Sequence, residues 1–285
     1  MSNKASGFPE GFLSQPAPKI IANRIDFKRE GVDRYEGHYA VILDNVLTQL
    51  ECDELLSAAE ASTAAGWERA MINIGGGQQR LMTESRNCGR IIWDSSEVIS
   101  KIWKRIEHVP EVREINRIKN APNILGNGPT TRGETWKFTR PNERMRFLKY
   151  VGGEYFRPHC DGSYETPDGK ECSYFTLHLY LNDAFSASGS EIAYLPKKYQ
   201  TEILRTRSLG GATIFHSIDM RHRVDVIPKA GRILLFQHRG LLHSGDDVVK
   251  GVKYTMRTDL MYTLEEVPGD SIYQDSLSSD LHSSR

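Results

Sequence analysis

Two kinds of hydrophobic pattern divide the chain near residue 134. In the first part, His38 to Leu43 is a run of β-branched and aromatic residues and predicts a strand. A helix is expected next. Thr48 can cap it, Glu51 three residues later completes a capping box, and Leu50, Leu55, Leu56 and Ala59 supply its apolar positions. Val98 to Val109 predicts a second amphipathic helix, because Val98, Ile102 and Ile106 recur every four residues and Trp103 widens the stripe. Gly75 to Gly77 reads as a turn, since it lacks the Gly-Lys-Ser/Thr ending of a phosphate loop. From Thr135 the pattern becomes short β-rich runs with Gly, Asp and Pro between them: 145–151, 174–181, 212–216, 221–227, 232–237 and 253–262. The expected class is mainly β with N-terminal helices, the strands closing into a sandwich or barrel.

That pattern fits one domain over 36–265, with a helical support region at 36–134 and the β core at 135–265. Residues 1–35 read as a tail or loosely docked arm, and the Ser-rich end, 266–285, as a disordered tail. Composition narrows the function. Lys plus Arg and Asp plus Glu are 37 each, so no net field argues for nucleic acid or an acidic membrane surface. No apolar run approaches the ~20 residues of a membrane span, and residues 1–18 lack the apolar core of a secretory signal. Cys52, Cys88, Cys160 and Cys172 contain no CxxC pair. They are expected as reduced thiols, and the protein as cytoplasmic.

The sharpest chemical feature is Phe156-Arg157-Pro158-His159-Cys160-Asp161. On an extended chain, residues two apart share a face, so His159 and Asp161 set an imidazole beside a carboxylate and Cys160 points away. Two histidines and one carboxylate form the facial triad of non-haem iron sites, with open positions opposite. A third ligand must come from further along, where His178, His216, His222, His238 and His243 are available. HxD alone is a weak signal, and any one of these histidines is more commonly a core or surface residue.

The surrounding motifs are more specific. Tyr150, Gly153 and Phe156 precede His159 and Asp161; Tyr180-Leu181-Asn182 follows; then come Gly210-Gly211-Ala212-Thr213-Ile214-Phe215, and Pro228, Gly231 and Phe236; last are His243, Val248, Gly251 and Lys253. In order and in most spacings this resembles the catalytic domain of prolyl 4-hydroxylase-like, Fe(II)- and 2-oxoglutarate-dependent oxygenases, over about residues 38–263. The resemblance implies a double-stranded β-helix (jelly-roll) core, and His159, Asp161 and His243 as ligands to Fe(II). It implies 2-oxoglutarate as cosubstrate, O2 as oxidant, and ascorbate as an accessory reductant. One departure is the stretch of 27 residues between Asn182 and Gly210, expected as a lid or part of the substrate pocket.

The distal carboxylate of 2-oxoglutarate needs a buried cation. Lys253 sits at the family position. Arg257 lies on the same face of the same expected strand, about 13 Å further on at ~3.3 Å per residue, and the sequence leaves the choice open. Tyr180 resembles the family tyrosine that bonds this carboxylate. Thr176 faces the same way four residues earlier, and Tyr150 is expected to border the metal pocket. The implied reaction is hydroxylation of an unactivated C–H bond, with release of succinate and CO2. Asp161 fills the position that halogenating relatives leave open for halide, while desaturation and ring closure stay open. The expected substrate is a small or biosynthetic molecule, with a peptidyl residue as the close alternative. A non-catalytic metal-binding jelly roll is the rival from another class.

Overall fold

The computed structural model describes residues 11–14, 16, 18–75 and 78–265. The expected tail at 266–285, the first ten residues and residues 76–77 of the expected glycine turn lie outside them.

Two sheets face each other. The major sheet runs in the order Ile21–Arg24, Ala40–Asp44, Ile233–Gln237, Glu171–Tyr180, Val248–Leu264, Arg144–Val151, Gly89–Asp94, Glu68–Arg69. The minor sheet runs Arg223–Val226, Thr213–His216, His243–Gly245, Tyr155–His159, Arg86–Asn87. This is the expected jelly-roll core, and each run expected after residue 135 forms a strand within a few residues of its expected bounds. Alternation along the central strands sorts their side chains. Phe175, Leu177 and Leu179 point outward into an apolar layer with Leu55, Val98, Ile102 and Ile106. Thr176, His178 and Tyr180 take the opposite face, towards the minor sheet, as do Leu234 and Phe236 of the neighbouring strand.

The helices responsible for that outer layer form where their patterns place them, at Gln49–Ala61 and Ser96–Ile106. Thr48 and Glu51 close a reciprocal capping box at the first. Glu51 also pairs with the buried Arg105 of the second, at 2.6 Å.

Two expectations need correction. The segment before residue 36 is not a loose arm where it is described. Ile21–Arg24 pairs with Ala40–Asp44, and Phe27, Val32 and Tyr35 are buried. The Tyr35 hydroxyl donates to the His216 carbonyl at 2.8 Å. Its apolar residues are spaced among charges too irregularly to match either period. Nor is 36–134 only a helical support: besides the expected strand, at Ala40–Asp44, Gly89–Asp94 and Glu68–Arg69 extend the major sheet, and Arg86–Asn87 edges the minor one. These unforeseen strands are too short to leave much alternation to read. Among the described residues no helix is long and apolar enough to cross a membrane.

Candidate metal centre

His159 ends the strand Tyr155–His159, and His243 begins the strand His243–Gly245. These strands pair antiparallel, and the register sets His159 directly opposite His243. Two residues 84 positions apart thus become a cross-strand pair, with ring centroids 4.4 Å apart. Asp161 follows just beyond the strand end. One candidate ligand atom from each of His159, Asp161 and His243 lies within 4.8 Å of the others.

The ring orientations suit a metal. His159 Nδ1 lies 2.9 Å from the Arg157 carbonyl, and His243 Nδ1 lies 3.0 Å from the Leu241 carbonyl. Each Nδ1–H donates there, which leaves Nε2 with a bare lone pair. These Nε2 atoms lie 3.6 and 3.8 Å from the Asp161 oxygens, and His159 Nε2 is buried with no hydrogen-bond partner. Burial pushes the His243 pKa down to about 4, so the ring is neutral at ordinary pH. Burial alone would raise the Asp161 carboxyl, but Arg257 and the nearby histidines hold it well below the usual range. Two imidazoles that turn Nε2 towards an ionised carboxylate are a donor set that fits iron(II).

The other histidines are elsewhere. His238 is fully buried, 3.7 Å from Asp259, and outside the cluster. His216 Nε2 pairs with Ser244 Oγ at 2.7 Å, and His222 is exposed. His178 lines the cavity with an unpartnered Nε2, and burial beside Lys253 keeps it neutral. Cys160 is exposed, away from the cluster.

A narrow cavity opens from the cluster between the sheets. Its wall includes Tyr150, Phe156, His178, Thr213, Lys253 and Arg257. Lys253 is 2% exposed, and its ammonium lies 5.2 and 5.9 Å from the ring centres of Tyr150 and Tyr180. Burial lowers its pKa to about 8. Arg257 is engaged instead. It lies 2.9 Å from Asp161 and 3.6 Å from Asp259, and Asp259 is also held by Arg146 at 3.1 Å. Both candidate cations thus face the cavity, but Arg257 already holds carboxylates and Lys253 holds none among the described residues.

Thr176 faces the same way as Tyr180, as expected, and its hydroxyl donates to Asp161 at 2.7 Å, while it is not among the residues of the cavity wall. The Tyr180 hydroxyl bonds Thr213 at 2.7 Å, one layer behind the wall. None of residues 183–209 lines the cavity. That stretch carries the helix Lys197–Ile203 and returns through Ser208–Gly210, which pairs with the start of the last strand. Sequence reasoning assigned no role to Arg86, Thr213, Ser244 or Asp259. Thr213 stood within a motif and Ser244 beside His243, while nothing marked Arg86 or Asp259.

Comparison with known proteins bears on the same region. Residues 145–258 match the profile of the 2OG-Fe(II) oxygenase superfamily. No curated protein matches the sequence. Among solved structures, the chain is similar to a viral collagen prolyl hydroxylase from Paramecium bursaria Chlorella virus-1 in its 2OG complex. There the identity is 21% and the TM-score 0.45, over 80% of this chain and 97% of that one. A Pseudomonas putida prolyl-4-hydroxylase is 14% identical, with a TM-score of 0.47 over 84% of this chain and 100% of that one. A Trichoplax adhaerens prolyl hydroxylase, in complex with a peptide of the hypoxia inducible factor oxygen degradation domain, is 15% identical. Its TM-score is 0.47, over 91% and 94%. Residues 145–258, which hold the His–Asp–His cluster together with Lys253 and Arg257, therefore form a domain of the 2OG-Fe(II) oxygenase superfamily.

Proposed function

We propose that the protein hydroxylates an unactivated C–H bond of a small molecule, with His159, Asp161 and His243 as ligands to iron(II) and Lys253 as the anchor for 2-oxoglutarate. The observation that carries this reading is the pair of opposed histidines, each fixed through Nδ1 and each aiming Nε2 at one buried carboxylate. When bound, iron(II) and 2-oxoglutarate supply the oxidising power, at the expense of decarboxylation to succinate and CO2.

The chain's own residues do the positioning. Thr176 and Arg257 each hold one oxygen of Asp161, so the carboxylate is set before metal arrives. Phe156 stacks on His159 at 3.7 Å and shields it from water. Lys253 sets a positive charge at the far end of the same wall, and the tyrosine faces beside it stabilise that charge. Asp161 occupies the ligand position that halide would need. A small substrate is favoured over a peptide because the cations around the cavity are buried, whereas a peptide groove would present them at the surface. The four cysteines are unpaired, which fits a reducing, cytoplasmic setting.

The test is a visible spectrum of the protein with Fe(II) and 2-oxoglutarate without oxygen. A metal-to-ligand charge-transfer band is expected, lost in His243→Ala and retained in His238→Ala. Iron binding without a band in the unmodified protein would overturn the 2-oxoglutarate assignment.

A further inference from the structure

The charges around the cavity do not cancel. Asp161 is matched by Arg257, and Asp259 by Arg146. Lys253 is reserved for one end of 2-oxoglutarate in the reading above. Arg86 remains. It stands on the cavity wall, is only 8% exposed, and its Nε has no hydrogen-bond partner. Its neighbours are the Phe156 ring, 4.6 Å from the guanidinium carbon, and the Tyr150 hydroxyl. Among the described residues no carboxylate forms an ion pair with it. Nor does the next arginine relieve it: Arg90 is buried, and its partners are the Met71 carbonyl and the Gln79 side-chain oxygen. Two buried guanidinium groups close enough to repel, with no ion pair to either among the described residues, are costly to fold. That cost is offset when an anion completes the site.

Position says what the anion belongs to. Arg86 lies against Phe156, and Phe156 stacks on His159. The guanidinium is therefore separated from a metal ligand by one aromatic ring. It is on the minor-sheet side of the cavity, whereas Lys253 is on the major sheet. The two cations flank Tyr150, Lys253 over its ring and Arg86 at its hydroxyl, and reach it from opposite sheets. A guanidinium grips a carboxylate through two parallel N–H bonds, which fixes direction as well as distance.

We propose that Arg86 anchors the substrate through a carboxylate, so that the molecule oxidised is a small carboxylic acid whose chain extends from Arg86 past Phe156 towards the metal centre. This rests on the oxygenase reading above and narrows its substrate class.

The experiment uses the Fe(II)- and 2-oxoglutarate-loaded protein without oxygen, as wild type, Arg86→Lys and Arg86→Gln. Each is titrated with acetate and propionate, and with acetamide and propionamide as neutral counterparts. The charge-transfer band is the readout, and its presence in each variant certifies folding and cosubstrate binding. The carboxylates are expected to shift the wild-type band and the amides to leave it unchanged. Arg86→Gln is expected to weaken the carboxylate response roughly ten- to a hundredfold, with Arg86→Lys between. The affinity for 2-oxoglutarate should stay within about twofold in all three, far below the change of a lost charged hydrogen bond. The proposal is overturned by an equal response in Arg86→Gln, by no response in the wild type, or by loss of the band in place of a shift. It is also overturned if Arg86→Gln chiefly weakens 2-oxoglutarate, which would assign Arg86 to the cosubstrate. Absence of the band in the wild type before any carboxylate is added would instead remove the oxygenase reading itself.

Discussion

The ammonium of Lys253 is held between tyrosine rings and forms no ion pair among the described residues, and burial brings its pKa down to about 8. Only the protonated form attracts a carboxylate, and a bound carboxylate favours that form. Affinity for 2-oxoglutarate is therefore expected to be steady below pH 8 and to fall about tenfold per pH unit well above it. Lys253→Arg should remove that fall, because a guanidinium stays charged. Titrating the charge-transfer band with 2-oxoglutarate between pH 6.5 and 9.5 checks both, and a flat wild-type profile would count against Lys253 as the anchor. Thr176 gives a contrasting case. Thr176→Val removes the hydrogen bond to Asp161 but not the ligand. Fe(II) affinity is expected to drop roughly tenfold or more, with 2-oxoglutarate affinity measured on the iron-saturated protein unchanged. The reverse pattern would return Thr176 to the cosubstrate. The contrast shows what was legible. His159, Asp161, His243 and Lys253 stand in motif spacings, and spacing survives in sequence. Thr176 shares a face with Tyr180, but which neighbour its hydroxyl meets depends on a loop residue crossing from the other sheet. Arg86 sits in a two-residue strand, too short for any period to mark its direction.

At the scale of elements, the turn before Ile233–Gln237 ties the helical layer to the core. Gly231 has φ +73°, its carbonyl accepts from the backbone N–H groups of Val46 and Leu47, and its own N–H donates to the Tyr180 carbonyl. A Cβ there would stand 1.8 Å from the Leu47 carbonyl oxygen. Gly231→Ala therefore demands a left-handed conformation and a backbone displacement together. A loss of about 4 kcal/mol or more is expected, read by denaturant unfolding. A change within about 1 kcal/mol would mean that this turn rearranges freely. The glycine was visible in the sequence as part of a motif, but not its partner. The approach of Leu47 depends on the strand Ala40–Asp44 lying beside Ile233–Gln237, a neighbour nearly two hundred residues away.

Across the whole molecule, charge sums to zero while its interior is uneven. Arg86, Arg90, Lys253 and Arg257 are gathered around or behind one cavity, and acids are scarce there. Such a core is under internal repulsion until ligands fill it. Iron(II) and 2-oxoglutarate together are expected to raise the unfolding midpoint, by an amount equivalent to about 2.7 kcal/mol at a hundredfold excess over the dissociation constant. 2-Oxoglutarate without metal should do much less, since only its distal end has a partner. Differential scanning calorimetry under nitrogen distinguishes these, and equal stabilisation with and without metal would place the acid away from His159 and His243. A sandwich or barrel could be foreseen from strand density, and the jelly roll from the family resemblance. The participation of residues 18–35 in it could not, because that segment gains its order from surfaces built by later parts of the chain.

The strand Val248–Leu264 carries Lys253, Thr255 and Arg257 on one inward face, from the cation at one end of the cavity to the brace of Asp161 at the other. Because the pleat admits only every second residue to that face, moving the proposed anchor along the strand shifts it from the metal centre in steps of about 7 Å. The strand is thus a graduated rule with coarse marks. The finer adjustment that a keto acid one methylene longer or shorter would require falls to side-chain length at a fixed position, as in Lys253→Arg.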